Sequence, residues 1–261
     1  MGLIHKMLDS VRERVCLSVI GAVSVFAITV FCVTLSCRTA AASGEGLEKP
    51  DIHYDRTVLE QGRLQTFTYE YPLVDGATGK RVVGILLINA PPAMVWRALE
   101  DWESMPEFVS DLKYYKTVYV EPSPPNSPRT VAYIEGKLKI AFLSILYNLR
   151  VVFDRQNLWQ KWNLVDEDEE KKLKAKGVSL SPSSSFLRSI RGFGYIEPYG
   201  DGSRTVYYYA PVVEVSIPVP GWIERRIAKS SLTEYMEGLK KKVEGEKASI
   251  KTCGLTSTVA Q

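Results

Sequence analysis

From residue 112 to residue 215 the chain reads as one β-strand after another, and it then closes on a single long amphipathic helix. Segment 112–121 alternates and is rich in Tyr and Val; 130–139, 141–153, 158–164, 186–198 and 204–215 continue the pattern. The breaks carry turn chemistry: four prolines within 122–128, and Tyr199-Gly200-Asp201-Gly202 between the last two strands. A run of about six antiparallel strands must hide one face, and one helix laid across a curved sheet can do so. The fold class is therefore α+β, a curved antiparallel sheet gripping a long C-terminal helix.

The faces follow from the two periods. Tyr147, Leu149, Val151 and Phe153 share one side of their strand, with Asn148 and Arg150 on the other, expected to face solvent. Leu158, Trp162 and Leu164 share a side of the next. The helix starts near Gly221 and runs for about 20 residues, with Ala228, Leu232, Tyr235, Met236, Leu239 and Val243 on one stripe. Ile223 and Ile227 fall nearly opposite, so the helix kinks near Ser230-Ser231 or buries its first turns on a second surface. Lys240-Lys241-Lys242 is read as a complement to the helix dipole. A sheet and helix so arranged can leave a cavity lined by apolar and aromatic side chains. The residues expected to line it are Tyr147, Leu149, Val151 and Trp162 from the sheet, Leu232, Tyr235, Met236 and Leu239 from the helix, and Trp222 at the helix start.

Upstream, 64–73 places Phe67, Tyr69, Tyr71 and Leu73 at alternate positions, and Asp75-Gly76 and Gly79 lead into 81–88, a hairpin. Asn89-Ala90-Pro91-Pro92 opens a short helix carrying Val95, Leu99 and Trp102, and Met105-Pro106-Glu107-Phe108 gives a further helical turn. Residues 43–63 read as a linker and 246–261 as a frayed tail.

The N-terminal segment is of another kind. Residues 15–37 contain no charge, and a run of about 20 apolar residues spans a bilayer as a helix. Lys6, Arg12 and Arg14 precede it, the expected cytoplasmic flank, and Ala40-Ala41-Ala42 follows as a cleavable small-residue pattern. Residues 1–42 are thus a signal peptide or a retained membrane anchor, and lipidation of Cys37 is a further route. Each places the rest outside the cytoplasm, in the cell envelope, periplasmic or membrane-anchored. Cys253 is the one cysteine beyond this segment, so the exported body has no internal disulfide.

The composition excludes several chemistries. Of the net charge of +3, the first 42 residues hold +2 (Lys6, Arg12, Arg14 and Arg38 against Asp9 and Glu13), leaving +1, far from the basic surplus of a nucleic-acid binder. The two histidines are His5, before the apolar run, and His53, in the linker. Nucleophile–histidine catalysis and a zinc site both lack their residues, and no catalytic residue, metal or cofactor is expected. Gly192-Phe193-Gly194 lies in a strand without the helix a dinucleotide fingerprint needs; it marks a bulge or a close approach of the terminal helix. Ser181-Pro182-Ser183-Ser184-Ser185 reads as loop. The acidic-then-basic block 166–176 reads as a solvated hairpin excursion.

The segment Ala90-Pro91-Pro92-Ala93-Met94-Val95-Trp96, with Asp101-Trp102 and Pro106-Glu107-Phe108, resembles the opening of START-superfamily helix-grip domains of the coenzyme Q-binding and polyketide cyclase/dehydrase-like branch. Ile217-Pro218-Val219-Pro220-Gly221-Trp222-Ile223, before the long helix, resembles their close. The resemblance covers about residues 80–245, taken as the ligand-binding domain; the strand and turn at 64–79 are an addition to it. It implies a pocket for a hydrophobic molecule: a lipid, quinone, sterol-like compound or polyketide. The family holds both binding modules and enzymes. A cyclase/aromatase reading would need acid–base groups in the pocket, with Arg150, Arg188 and Tyr195 as candidates; a non-catalytic module is the expectation. The expected partners are a hydrophobic small molecule or lipid and a membrane surface. The cluster Val219, Trp222 and Ile223, followed by Arg225, Arg226 and Lys229, is expected to be the pocket mouth and to touch the bilayer.

Overall fold

The alternating segments pair in the order that short turns dictate. A computed structural model describes residues 49–72, 78–140, 142–216, 218 and 220–256. Strands β1 (Gln65–Pro72), β2 (Thr78–Ile88), β3 (Leu112–Val120), β4 (Arg129–Ile140), β5 (Leu143–Asp154), β6 (Trp159–Leu164), β7 (Leu187–Tyr199) and β8 (Arg204–Val215) form one curved eight-stranded sheet. Its order is β1-β2-β8-β7-β6-β5-β4-β3, antiparallel throughout. Strands β3 to β8 are sequence neighbours paired in turn, and β2 returns to the free side of β8, where β1 adds the last strand. The apolar run 15–37, Cys16, Cys32, Cys37, the Ala40-Ala41-Ala42 pattern, Leu73, the Asp75-Gly76 turn, Ile217 and Val219 lie outside the described residues, as do the side chains of Tyr69, Tyr71 and Cys253. Among the described residues, no helix is long and apolar enough to cross a membrane.

Between β2 and β3 the chain crosses from one side of the sheet to the other through helix α2 (Pro92–Glu100) and a 3₁₀ segment, Trp102–Glu107. Pro92 sits in the first turn of α2, where its missing N–H costs nothing, and Val95, Trp96, Ala98 and Leu99 are buried. The C-terminal helix lies in the concavity as three continuous pieces: α4 (Gly221–Ala228), a π-helical stretch Lys229–Glu234, and α5 (Tyr235–Thr256). Helix α1 (Arg56–Glu60) and helix α3 (Glu167–Ala175) complete the elements. This is a helix-grip arrangement, a curved antiparallel sheet wrapped around one long C-terminal helix.

Of the two possibilities left open for the start of the long helix, burial of its first turns on a second surface is realised. The π-helical stretch contains Ser230-Ser231, and Ile223 and Ile227 are buried in a separate small cluster with Ile140, flanked by Leu143, Phe186 and Val213. Beyond the π stretch, Leu232, Tyr235, Met236, Leu239 and Val243 join the main core. Met236 lies against Gly84 of β2, where an added Cβ would lie 2.3 Å from its sulfur, so any larger residue there would force the methionine side chain to shift.

Several expectations are corrected. Part of the linker folds: Asp55 caps α1 by accepting from the amides of Thr57 and Val58, and Leu59 is wholly buried. The acidic-then-basic block is not a hairpin excursion but α3, capped by Asp166 at the Glu169 amide and anchored by buried Leu173; acids in its first turn and lysines in its last suit the dipole. The tail continues as helix to Thr256. The lysines are therefore far from the helix terminus and act as tethers: Lys240 donates to the Leu87 carbonyl at 2.7 Å and Lys242 pairs with Asp101 at 2.8 Å. Asn148 is buried rather than solvent-facing, because the loop before β7 folds over that side of β5, with the amide nitrogen donating to the Ser181 carbonyl at 2.6 Å. At Gly192 and Gly194 the β7–β8 register runs unbroken; the close neighbour of Gly192 is Trp162 of β6, not the terminal helix.

Candidate functional site

The register places a row of inward side chains along each strand, and between sheet and helix these line a partly open cavity of about 90 Å³. Moving inward from the β4–β5 hairpin, β5 contributes Ile145, Tyr147 and Leu149, opposite Ile140 and Leu138 of β4. From the other flank β8 contributes Val213, Pro211 and Tyr209, and β6 contributes Trp162. The 3₁₀ segment supplies Trp102 and Met105, and β3 supplies Tyr115. The helix closes the space with Ile227, Ser231 and Tyr235, at intervals of four residues across the π stretch.

Of the nine residues expected to line a cavity, Tyr147, Leu149, Trp162 and Tyr235 do so. Val151, Leu232, Met236 and Leu239 are buried in the main core instead, where the helix packs directly on the sheet. Trp222 lies outside the wall and is 46% exposed. Ile223, read as part of an exposed mouth, is 2% exposed and packs on Ile140. Sequence reasoning missed Trp102, Tyr115, Ile140 and Tyr209. For Tyr209 the signal was present, since it alternates with Tyr207 and Pro211 in β8.

The aromatic residues form a connected band. Ring centroids lie 6.0 Å apart for Tyr147–Tyr115, 5.5 Å for Tyr115–Trp102, 6.1 Å for Trp102–Trp162, 5.2 Å for the stacked Trp162–Tyr209 and 4.5 Å for Tyr209–Tyr235. Tyr147 donates to the Tyr115 hydroxyl at 2.8 Å, and Tyr207, behind the wall, donates to Tyr235 at 3.3 Å. Gln160, on the inner side of β6 with Trp162, is completely buried. Neither of its amide atoms has a partner within hydrogen-bond geometry, although both Tyr207 and Tyr235 lie close to it.

Burial raises the hydroxyl pKa of Tyr115 to about 12, the hydrogen bond from Tyr147 only partly opposing it. Burial likewise pushes Tyr147, Tyr207, Tyr209 and Tyr235 up. All five are neutral donors at ordinary pH.

The candidate acid–base residues lie elsewhere. Arg150 pairs with Glu169 of α3 at 3.1 Å on the outer side of the sheet. Arg188 is exposed, and Tyr195 stacks on Tyr208 at 4.3 Å outside the cavity. His53 is exposed. Among the described residues no group of three or more His, Cys, Asp or Glu is placed to hold a metal ion.

No known protein-family profile matches the chain, and no curated protein sequence does. Solved structures are similar to it over part of the chain. A protein from Thermus thermophilus is 15% identical, with a TM-score of 0.46 over 64% of this chain and 98% of its own. The Zhui aromatase/cyclase from a Streptomyces species is 8% identical, with a TM-score of 0.46 over 70% and 94%. A START superfamily protein from Mycobacterium smegmatis is 18% identical, with a TM-score of 0.46 over 64% and 99%.

Proposed function

We propose that this chain is a non-catalytic binding module for a hydrophobic small molecule or lipid, held between the sheet and the C-terminal helix. The observation that carries this is the wall of the cavity: every described residue in it is aliphatic, aromatic, methionine or proline except Ser231, and none is charged. Such a surface excludes water-loving ligands and rewards apolar ones. A cyclase/aromatase reading needs a group that takes or gives a proton near neutral pH. The ionisable groups in the wall are tyrosines whose burial moves them away from that range.

The module works outside the cytoplasm, delivered by the uncharged run 15–37 as a cleaved signal or a retained anchor. It meets a bilayer with the end of the domain where β4 turns into β5 and α4 begins. Phe142 at the hairpin tip is 81% exposed and Trp222 46%, and exposed Lys139 and Arg225 stand beside them in sequence to meet anionic headgroups. Ile140 and Ile227 join this end to the cavity wall. The test is native mass spectrometry of the full chain released from a bacterial envelope in mild detergent, with analysis of its organic extract. A stoichiometric apolar compound in the extract is the expected result; a chain that carries none, and that takes up none from added envelope lipid, refutes the reading.

A further inference from the structure

Taking the cavity as a ligand site, as proposed above, we infer that its ligand has two chemically different ends: an uncharged ring head carrying a hydrogen-bond acceptor such as a carbonyl, seated among the tyrosines, and an aliphatic portion pointing towards Ile140 and Ile227. The strand register separates the two environments. At the β4–β5 hairpin end the wall is aliphatic: Leu138 pairs with Ile145, Ile190 pairs with Val213, and Ile140 and Ile227 close the space. Further along the same strands the wall is aromatic, formed by the band from Tyr147 through Tyr115, Trp102 and Trp162 to Tyr209 and Tyr235. Faces and edges of rings favour a flat partner.

The hydrogen-bond inventory fixes the polarity of the head. Tyr147 donates to Tyr115, so the hydrogen of the Tyr115 hydroxyl remains to be given, and no acceptor for it occurs among the described residues. The Tyr209 hydroxyl likewise has no hydrogen-bond partner among them. The indole N–H of Trp102, buried in the same wall, also lacks an acceptor. The aromatic end thus offers donors with no unused charge of either sign. An acceptor oxygen satisfies these hydroxyls. A carboxylate would be buried there without a cation, and an ammonium without an anion, since no charged residue lies in the wall.

The experiment uses the full chain in one fixed detergent and 4-decylbenzophenone, a neutral aromatic ketone with an aliphatic tail that cross-links under near-ultraviolet light at its carbonyl. Peptide mapping reads where the head lies. The expected sites are on peptides carrying Tyr115, Tyr147, Trp162 and Tyr209, and the yield at subsaturating probe falls at least about fivefold in the Tyr115→Phe, Tyr209→Phe double variant, checked by thermal melting to be folded. On the unaltered chain, decanoate and decyltrimethylammonium compete at least about a hundredfold less well than a non-photoreactive decyl aryl ketone. Cross-links at Ile140 and Ile227 instead overturn the orientation, while the cavity stands as a binding site. An unchanged yield in the folded double variant, or equal competition by either ion, overturns the head chemistry. Absence of cross-links anywhere in the wall refutes the cavity as a binding site, and this inference with it.

Discussion

A methyl group added at Gly192 is the sharpest available test of the cavity wall. An ideal Cβ there lies 2.3 Å from Cζ2 and 2.6 Å from Cε2 of Trp162, and 2.8 Å from the Ala210 carbonyl oxygen. Ordinary contact begins at 3.4 Å, so the indole must retreat by 1.1 Å, the difference between 3.4 and 2.3 Å. It has nowhere to go except into the cavity, since Tyr209 stacks on it at 5.2 Å and Trp102 meets its edge at 6.1 Å. Overpacking of a filled core costs about 1–3 kcal/mol, and the rigidity of these neighbours puts Gly192→Ala at the upper part of that range.

The cause is checked by a double-mutant cycle with Trp162→Leu, read by urea unfolding of the purified chain. Trp162→Leu alone is destabilising, by about 2–4 kcal/mol, because it empties a buried ring's volume. In that background the indole clash is gone while the 2.8 Å contact with the Ala210 carbonyl remains, so Gly192→Ala should still be destabilising, but by less than in the parent chain, a coupling of at least about 1 kcal/mol. Additive effects within about 0.3 kcal/mol would show that Trp162 does not lie over Gly192, and the register of β6 on β7 would then be wrong.

Three further outcomes are expected. Phe142→Ser with Trp222→Ser should lower binding to anionic liposomes at least severalfold while leaving the melting temperature within a few degrees, since both side chains stand out from the surface; sedimentation with vesicles measures it. Raising the pH above about 10 should unfold the domain cooperatively, because unfolded tyrosines ionise there while Tyr115, Tyr147, Tyr207, Tyr209 and Tyr235 are held protonated by burial; stability is complete below pH 10 and each tyrosine then removes up to about 1.4 kcal/mol per pH unit. Tyrosinate absorbance rising well before the loss of far-ultraviolet dichroism would contradict this. A fusion of residues 1–60 to a reporter active only outside the cytoplasm should be active, and a soluble, inactive fusion removes the export reading.

What could be read from the sequence was periodicity, and its limits explain what was missed. Alternation put Tyr147, Leu149 and Trp162 on inner faces, and the helical stripe put Tyr235 opposite them. The same alternation could not tell a face open to water from one covered by the chain's own loops: Asn148 looked solvated, yet α3 and the loop after it close over that side of the sheet. Nor does a polar residue announce that it points inward. Gln160 has the same parity as Trp162 and is completely buried beside it, a placement that alternation alone does not single out for an amide. Leu59 had no period around it at all and is buried by a five-residue helix that only its Asp55 cap suggests.

The cavity itself follows from how the terminal helix is seated, at two places and not between them. On one side of the π stretch, Met236 drops against Gly84, and Leu239 and Val243 pack in the main core; Lys240 and Lys242 tie this half to Leu87 and Asp101. On the other side, Ile223 and Ile227 rest on Ile140, and Arg226 holds α4 to the start of β3 through Asp111 at 3.0 Å and Ser110 at 2.7 Å. A regular helix joining these two footholds would keep the same residues turned to the sheet along its whole length. The π-helical insertion changes the phase, so that Ile223 and Ile227 can face the sheet although they fall off the stripe of Leu232 and Met236. Ser231 and Tyr235 then border a gap that neither half of the helix can fill. The space is thus the consequence of one helical irregularity placed between two well-packed ends, and it persists because each end is held by its own core cluster and its own polar ties.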